Sequence, residues 1–386
     1  LIPSKIYMSI GENLTYPAVP MLLFMGVALE VSGAARELLL CLQRILGRAP
    51  GSMCVSVILI GLLLAPLAGV IGASVATIAA AALPTMMAQR YRPEVASGVI
   101  AAAGTLGVIA PPASMFLAPI LPILCLAGAF ICYFIVIDVL RPRSGAAAMP
   151  SENGRSILIY LIRSLVLPVG LIALVLGSIV AGWVSPTESA AVGAIGGGAM
   201  IFLYRGFDLA LLRQALVRTM VITGMVFFVV LGAGIFSLVF RFYGGDDIAI
   251  GLFEDLSIGD FGVLAVVLII LFVLGFFIDW IEITLVSLPI LYPAISQLDF
   301  SAYVGSEQLA RLWIGALVAL VLQTSFLTPP FGFALFFLKG AAPDSIRMAQ
   351  IYRGVIPLVA IQLLMIAAVL LFPALVTILP KAVLGI

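Results

Sequence analysis

Histidine does not occur in this 386-residue chain. That excludes His-dependent catalytic triads, His metal sites and His proton relays. Charge is nearly as scarce: Asp, Glu, Lys and Arg make up 10% of the residues, against about 25% in soluble domains. The net charge is +1, which favours neither nucleic acid nor acidic partners. Lysine occurs only at Lys5, Lys339 and Lys381, all at the ends of apolar segments. Cys41, Cys54, Cys125 and Cys132 form no C-x-x-C pair, so neither a zinc site nor a disulfide framework is implied. Without histidine, intramembrane hydrolysis would need Ser-Lys or paired-Asp chemistry. The lysine positions, and the lack of matched aspartates in two facing spans, argue against an enzyme.

What the chain does have is hydrophobic length. It is 63% hydrophobic, with a mean hydropathy of +1.28. At about 20 residues per span there is room for roughly ten to twelve membrane segments, so an all-α polytopic membrane protein is expected. Apolar segments fall at 17–31, 52–65, 75–89, 95–117, 119–140, 157–184, 188–204, 219–240, 261–278, 281–296, 312–338 and 355–379.

The connections set orientation, because basic loops stay in the cytoplasm. Loops 36–48, 141–163, 205–218 and 339–353 are basic. Loop 241–260 instead holds Asp246, Asp247, Glu254, Asp255 and Asp260 against Arg241, and is placed outside. Segments 52–65 and 75–89 hold only about 14 residues each, or ~21 Å of helix, short of the ~30 Å hydrocarbon core. They read as a re-entrant hairpin with its tip at 66–74. Segments 261–278 and 281–296 make a second hairpin, whose tip holds Gly275, Asp279, Trp280 and Glu282.

Each hairpin precedes a Pro-Pro pair set among small polar residues. One stands in Gly104-Thr105-Leu106-Gly107-Val108-Ile109-Ala110-Pro111-Pro112-Ala113-Ser114. The other stands in Gln323-Thr324-Ser325-Phe326-Leu327-Thr328-Pro329-Pro330-Phe331-Gly332. Paired prolines break a helix. In lipid, the freed carbonyls are tolerated only where they face protein or a wet cavity. Hairpin then broken helix, entered from opposite sides, is an inverted repeat of the kind that builds a transporter's binding site. The remaining scaffold carries a linker at 144–150 and a helix start at Ser185-Pro186-Thr187-Glu188, which reads as a capping box.

Gly69, Gly72, Ser74 and Thr77 in one half, and Thr324, Ser325 and Thr328 in the other, offer hydroxyl and carbonyl oxygens for a desolvated cation. Half-helix N-termini would favour a carboxylate. Asp279 and Glu282 are intramembrane carboxylates, which mark function by default. A channel built from the same broken helices is the alternative reading.

At these residues the chain resembles the large, DctM-like membrane subunit of the TRAP (tripartite ATP-independent periplasmic) transporters. Val184 to Ala194 resembles the family's T-P-T-E-A-A-A-V-G-A signature. Gly104 to Ser114 resembles its G-x-L-G-x-x-I-P-P-S motif, and Leu327 to Gly332 its L-T-P-P-x-G motif. Pro20 to Phe24, with Ser32-Gly33, resembles the second helix region, which implies a helix ahead of Leu1.

The resemblance implies sodium-coupled import of a small organic acid across the bacterial inner membrane by an elevator motion. A periplasmic binding protein would deliver the acid, and a small four-helix membrane subunit would complete the frame. It implies sodium ligands at Gly69, Gly72 and Ser74 beside Thr105 and Gly107, and at Asp279 beside Thr324, Ser325 and Thr328. Substrate is expected near Pro112, Ser114, Pro330 and Gly332. No cofactor beyond coupling sodium is implied. The expected parts are a scaffold region 1–51, a first transport half 52–118, scaffold helices 119–260, a second transport half 261–340 and a C-terminal helix 341–386.

Overall fold

The computed structural model describes residues 16–47, 49–64, 71–106, 117–140, 162–254, 258–278, 280–330 and 332–384. Among these residues the structure is helical and contains no strand. The helices are α1 (Ala18–Ser32), α2 (Ala34–Leu46), α3 (Ser52–Leu64), α4 (Ile71–Ala88), α5 (Pro93–Thr105) and α6 (Leu117–Leu140). A π-helical turn, Ile162–Val166, leads into α7 (Leu167–Val180), followed by α8 (Pro186–Arg205), α9 (Leu209–Phe242), α10 (Gly245–Glu254) and α11 (Gly259–Leu274). Next come a single turn, Trp280–Glu282, a π-helical turn, Ile283–Ser287, and α12 (Leu288–Ser296). The chain ends with α13 (Glu307–Leu327), α14 (Phe333–Ala341), α15 (Met348–Leu371) and α16 (Ala374–Leu384).

Four described helices are long and apolar enough to cross a membrane: α6, α9, α13 and α15. The pair α1 and α2, bent by 64° at Gly33, passes the same test together. Helix α3 has 13 residues, about 20 Å at 1.5 Å per residue, and so fits a hairpin arm better than a span.

Several expected loops are helical. The basic stretch 36–48 lies largely in α2, which buries Leu38, Leu39, Cys41 and Leu42 and leaves its arginines on the other face. Helix α9 begins at Leu209, inside the expected 205–218 loop, because Asp208 caps it by accepting the N–H groups of Ala210 (2.9 Å) and Leu211 (3.2 Å). The acidic stretch 241–260 holds α10. The segment 355–379 divides at Phe372 and Pro373 into α15 and α16. Ile71 to Ser74, expected in a hairpin tip, form the first turn of α4.

The helices pack in two groups. Residues of α2 to α6 and α11 to α16 share one large core, which includes Phe130, Leu271, Trp313, Phe326, Leu335 and Val355. Helices α1, α7, α8 and α9 pack together around smaller clusters such as Met25, Leu29, Val175 and Met200. There, Gly193 and Gly197 let α8 lie directly on α1: a Cβ on Gly197 would come 2.9 Å from the Cα of Met25. Small residues four apart permit such close approach where apolar burial gives no driving force between helices. Arg218 on α9 pairs with Glu30 on α1 at 2.7 Å, and Arg205 Nε donates to Ser32 O at 3.2 Å.

The expected capping box is present. Ser185 N–H donates to Glu188 Oε2 (2.7 Å), and Glu188 N–H donates to Ser185 Oγ (3.3 Å). Asp138 accepts the Gly51 N–H at 2.7 Å and ties α6 to the start of α3. Arg141 and the linker at 144–150 lie outside the described residues.

Candidate functional site

The second hairpin turns at the level where α13 ends, and the described arms of the first meet the end of α5. In the first half, Gly61 on α3 packs against the Ala103 backbone of α5, and Gly104 on α5 packs against Val75 on α4. Both arms therefore meet α5 in its last turn, and the start of α4 lies beside Thr105. In the second half, Gly275, just past the end of α11, packs against the hydroxyl of Ser325 in the last turn of α13. Gly72, at the start of α4, faces the ring of Phe337 on α14, so the first hairpin touches the second broken helix. The two half-sites are thereby brought together.

The expected residues divide as follows. Thr105, Thr324 and Ser325 are fully buried, Thr328 is half-buried, Gly72 and Gly332 are buried, and Ser74 is half-buried on α4. Pro330 is exposed, and its carbonyl accepts the Tyr352 hydroxyl at 2.6 Å. Gly69, Gly107, Pro112, Ser114 and Asp279 lie outside the described residues. Glu282 sits in the single helical turn at the tip of the second hairpin, its Oε2 buried without a hydrogen-bond partner.

The break in the second half runs from Thr328 to Gly332, with a cis peptide between Pro329 and Pro330. Gly332 is pressed onto the carbonyls of Phe326 (2.7 Å from an ideal Cβ) and Thr328 (3.0 Å), so no side chain fits there without a backbone shift. Gly332 N–H donates to Thr328 O at 3.0 Å.

The hydroxyls have a shared geometry. Thr105 donates to Ala102 O (3.0 Å), Thr324 to Leu320 O (2.8 Å), Ser325 to Leu322 O (2.7 Å) and Thr328 to Thr324 O (2.7 Å). Each proton is thus spent within its own helix. A hydroxyl in that state keeps lone pairs and no donor, which suits a cation rather than an anion. Among the described residues no group of three or more His, Cys, Asp or Glu gathers.

Two residues escaped the sequence reading. Gln323 on α13 and Gln362 on α15 are fully buried, and neither amide has a protein hydrogen-bond partner. The bonds from Trp313 Nε1 to Val369 O (2.8 Å) and from Tyr352 to Pro330 O set α13 antiparallel to α15. That register brings the two glutamines within about a turn of each other along the axis. The Thr77 and Ser97 hydroxyls, on α4 and α5, are likewise buried without a partner. The usable sequence signal was a pair of glutamines within membrane-length apolar runs.

The family model for the tripartite ATP-independent periplasmic transporter DctM component matches residues 2–375. The chain is similar to the C4-dicarboxylate TRAP transporter large permease protein DctM of Pseudomonas aeruginosa, 26% identical over 96% of this chain and 87% of that one. It is similar to the sialic acid TRAP transporter large permease protein SiaM of Vibrio cholerae, 25% identical over 97% and 88%. Among solved structures it resembles the Alcanivorax borkumensis YdaH transporter in fold. The TM-score is 0.61 at 13% identity, over 96% of this chain and 86% of that chain.

Proposed function

The chain belongs to the DctM family of tripartite ATP-independent periplasmic transporters, and from that premise we propose that it imports a small organic acid coupled to sodium. It is a membrane transport protein of the large-permease type. In this reading a periplasmic binding protein delivers the acid, and a small membrane subunit completes the frame in the bacterial inner membrane. Relatives named for C4-dicarboxylates and for sialic acid support an acidic substrate.

One observation carries the sodium reading. Thr105, Thr324, Ser325 and Thr328 present lone pairs without donors at the two helix ends where the hairpins turn. Sodium held there would draw the substrate carboxylate to the same breaks, which couples the two binding events. The described parts of the hairpins and broken helices share one core with α2, α6, α15 and α16, which supports their moving as a body against α1, α7, α8 and α9 in an elevator motion.

The test is uptake of labelled organic acids in proteoliposomes holding the chain, its small subunit and the binding protein. Uptake is expected to require both the binding protein and an inward sodium gradient. Thr328→Val, which keeps the shape and removes the oxygen, should raise the half-saturating sodium concentration about tenfold, the equivalent of ~1.4 kcal/mol. An unchanged sodium dependence would overturn the assignment, and steady current without substrate would establish a channel instead.

A further inference from the structure

The two repeats are not closed equally. In the first, α4 packs along α5. In the second, α12 stands off α13 and packs instead on α10, which leaves a cavity of about 350 Å³ between α12 and α13. Along α13 its wall runs from Glu307 to Leu322, about 22 Å at 1.5 Å per residue. That exceeds half the thickness of a ~30 Å hydrocarbon core. The wall is apolar, formed by residues such as Leu288, Ile295, Ile314 and Val318. Its charges are Asp299, in the stretch between α12 and α13, and the Glu307–Arg311 ion pair in the first turns of α13.

These charges lie in and beside the polar stretch between α12 and α13, so the crevice runs inward from the membrane interface. Its shape is that of an acyl chain with a polar head. The mouth carries Asp299 and Glu307 against Arg311, and a third carboxylate, Asp260, stands behind Asp299, its Oδ2 accepting the Asp299 N–H at 3.3 Å. The Ser301 hydroxyl and N–H (2.9 Å from Asp299 Oδ1) hold the Asp299 carboxyl below its ordinary range. An anionic carboxylate substrate is disfavoured at this mouth, which lies at the opposite end of the crevice from Trp280 and Leu322 beside the second hairpin tip. An ammonium fits beside Asp299 and Glu307, and a phosphate fits beside Arg311.

We propose that the crevice between α12 and α13 binds one phosphatidylethanolamine, its acyl chain along α13 and its zwitterionic head on Asp299, Glu307 and Arg311. Selectivity resides in the headgroup, because bulk lipid already solvates apolar chains as well as leucine does. Phosphatidylglycerol, with net negative charge, lacks the ammonium.

The experiment is native mass spectrometry of the purified chain after exchange with vesicles of equal phosphatidylethanolamine and phosphatidylglycerol. One retained phosphatidylethanolamine is expected, preferred roughly three- to fivefold, the scale of one exposed ion pair. Ala319→Phe, which fills the half-exposed wall of α13, should remove the retained lipid. Asp299→Asn, which keeps an oxygen for the Ser301 N–H, should equalise the two lipids without loss of fold. Equal retention by the wild type would mean ordinary surrounding lipid and overturn the proposal. So would a preference unchanged in Asp299→Asn, or no lipid retained.

Discussion

Ser325 does two things at once: its proton goes to Leu322 O at 2.7 Å, and its oxygen rests on Gly275 at the turn of the second hairpin. A methyl at 275 has no room, because the hydroxyl already occupies its place. Gly275→Ala should therefore destabilise the protein by about 1–3 kcal/mol, the usual cost of overpacking, and abolish uptake. Adding Ser325→Gly should recover much of the stability but not the sodium dependence. Thermal unfolding in detergent and sodium titration of uptake separate the two roles; recovery of both would leave Ser325 as packing alone. Gln323 makes the converse case. An amide buried without a partner costs roughly 1–3 kcal/mol, so Gln323→Leu should leave the melting temperature unchanged or higher. A protein that keeps that cost uses it, and uptake by this variant should fall. Unchanged uptake with higher stability would make the glutamine a passive defect.

At the scale of elements, the start of α8 was fully legible in Ser185-Pro186-Thr187-Glu188, since a capping box is a local device whose four residues carry the whole signal. Ser185→Ala should cost about 1 kcal/mol and lower the melting temperature, with uptake per folded molecule unchanged. Loss of uptake without loss of stability would give the box a role beyond capping. The second Pro-Pro break was equally legible, because proline position is a one-dimensional fact; the first, at Pro111-Pro112, and the tip of the first hairpin lie outside the described residues. Charged helix ends were not. Arg213 and Arg218 stopped the hydropathy reading of α9, yet Asp208 caps the helix ahead of them and Arg218 is held by Glu30 on α1. Nor does the sequence carry the opening between α12 and α13, or the burial of Gln323 and Gln362. Those depend on which helix lies beside which. The packing of Gly104 on Val75 and of Gly275 on Ser325 follows the hairpin-then-break order that the sequence carries, while Gly69, Gly107 and Asp279 lie outside the described residues.

For the whole molecule, sidedness rests on charge while the packing supplies the ruler. Helix α9 has 34 residues, about 51 Å at 1.5 Å per residue, well beyond a ~30 Å hydrocarbon core. Its two ends must therefore reach opposite faces or tilt strongly. Arg213 lies exposed near the first end, and Asp247 lies exposed on α10 just past the second. The excess of arginine before and within the start of α9 assigns that end to the cytoplasm. With the four native cysteines replaced, a cysteine at 247 should react with a membrane-impermeant maleimide in intact spheroplasts. One at 213 should react only after permeabilisation. Reversal of both would invert the chain and put the mouth of the α12–α13 crevice on the cytoplasmic leaflet. Labelling of both from one side would mean that α9 does not cross. The group α1, α7, α8 and α9 would then lack the span that a fixed frame requires, and the elevator reading would fail with it.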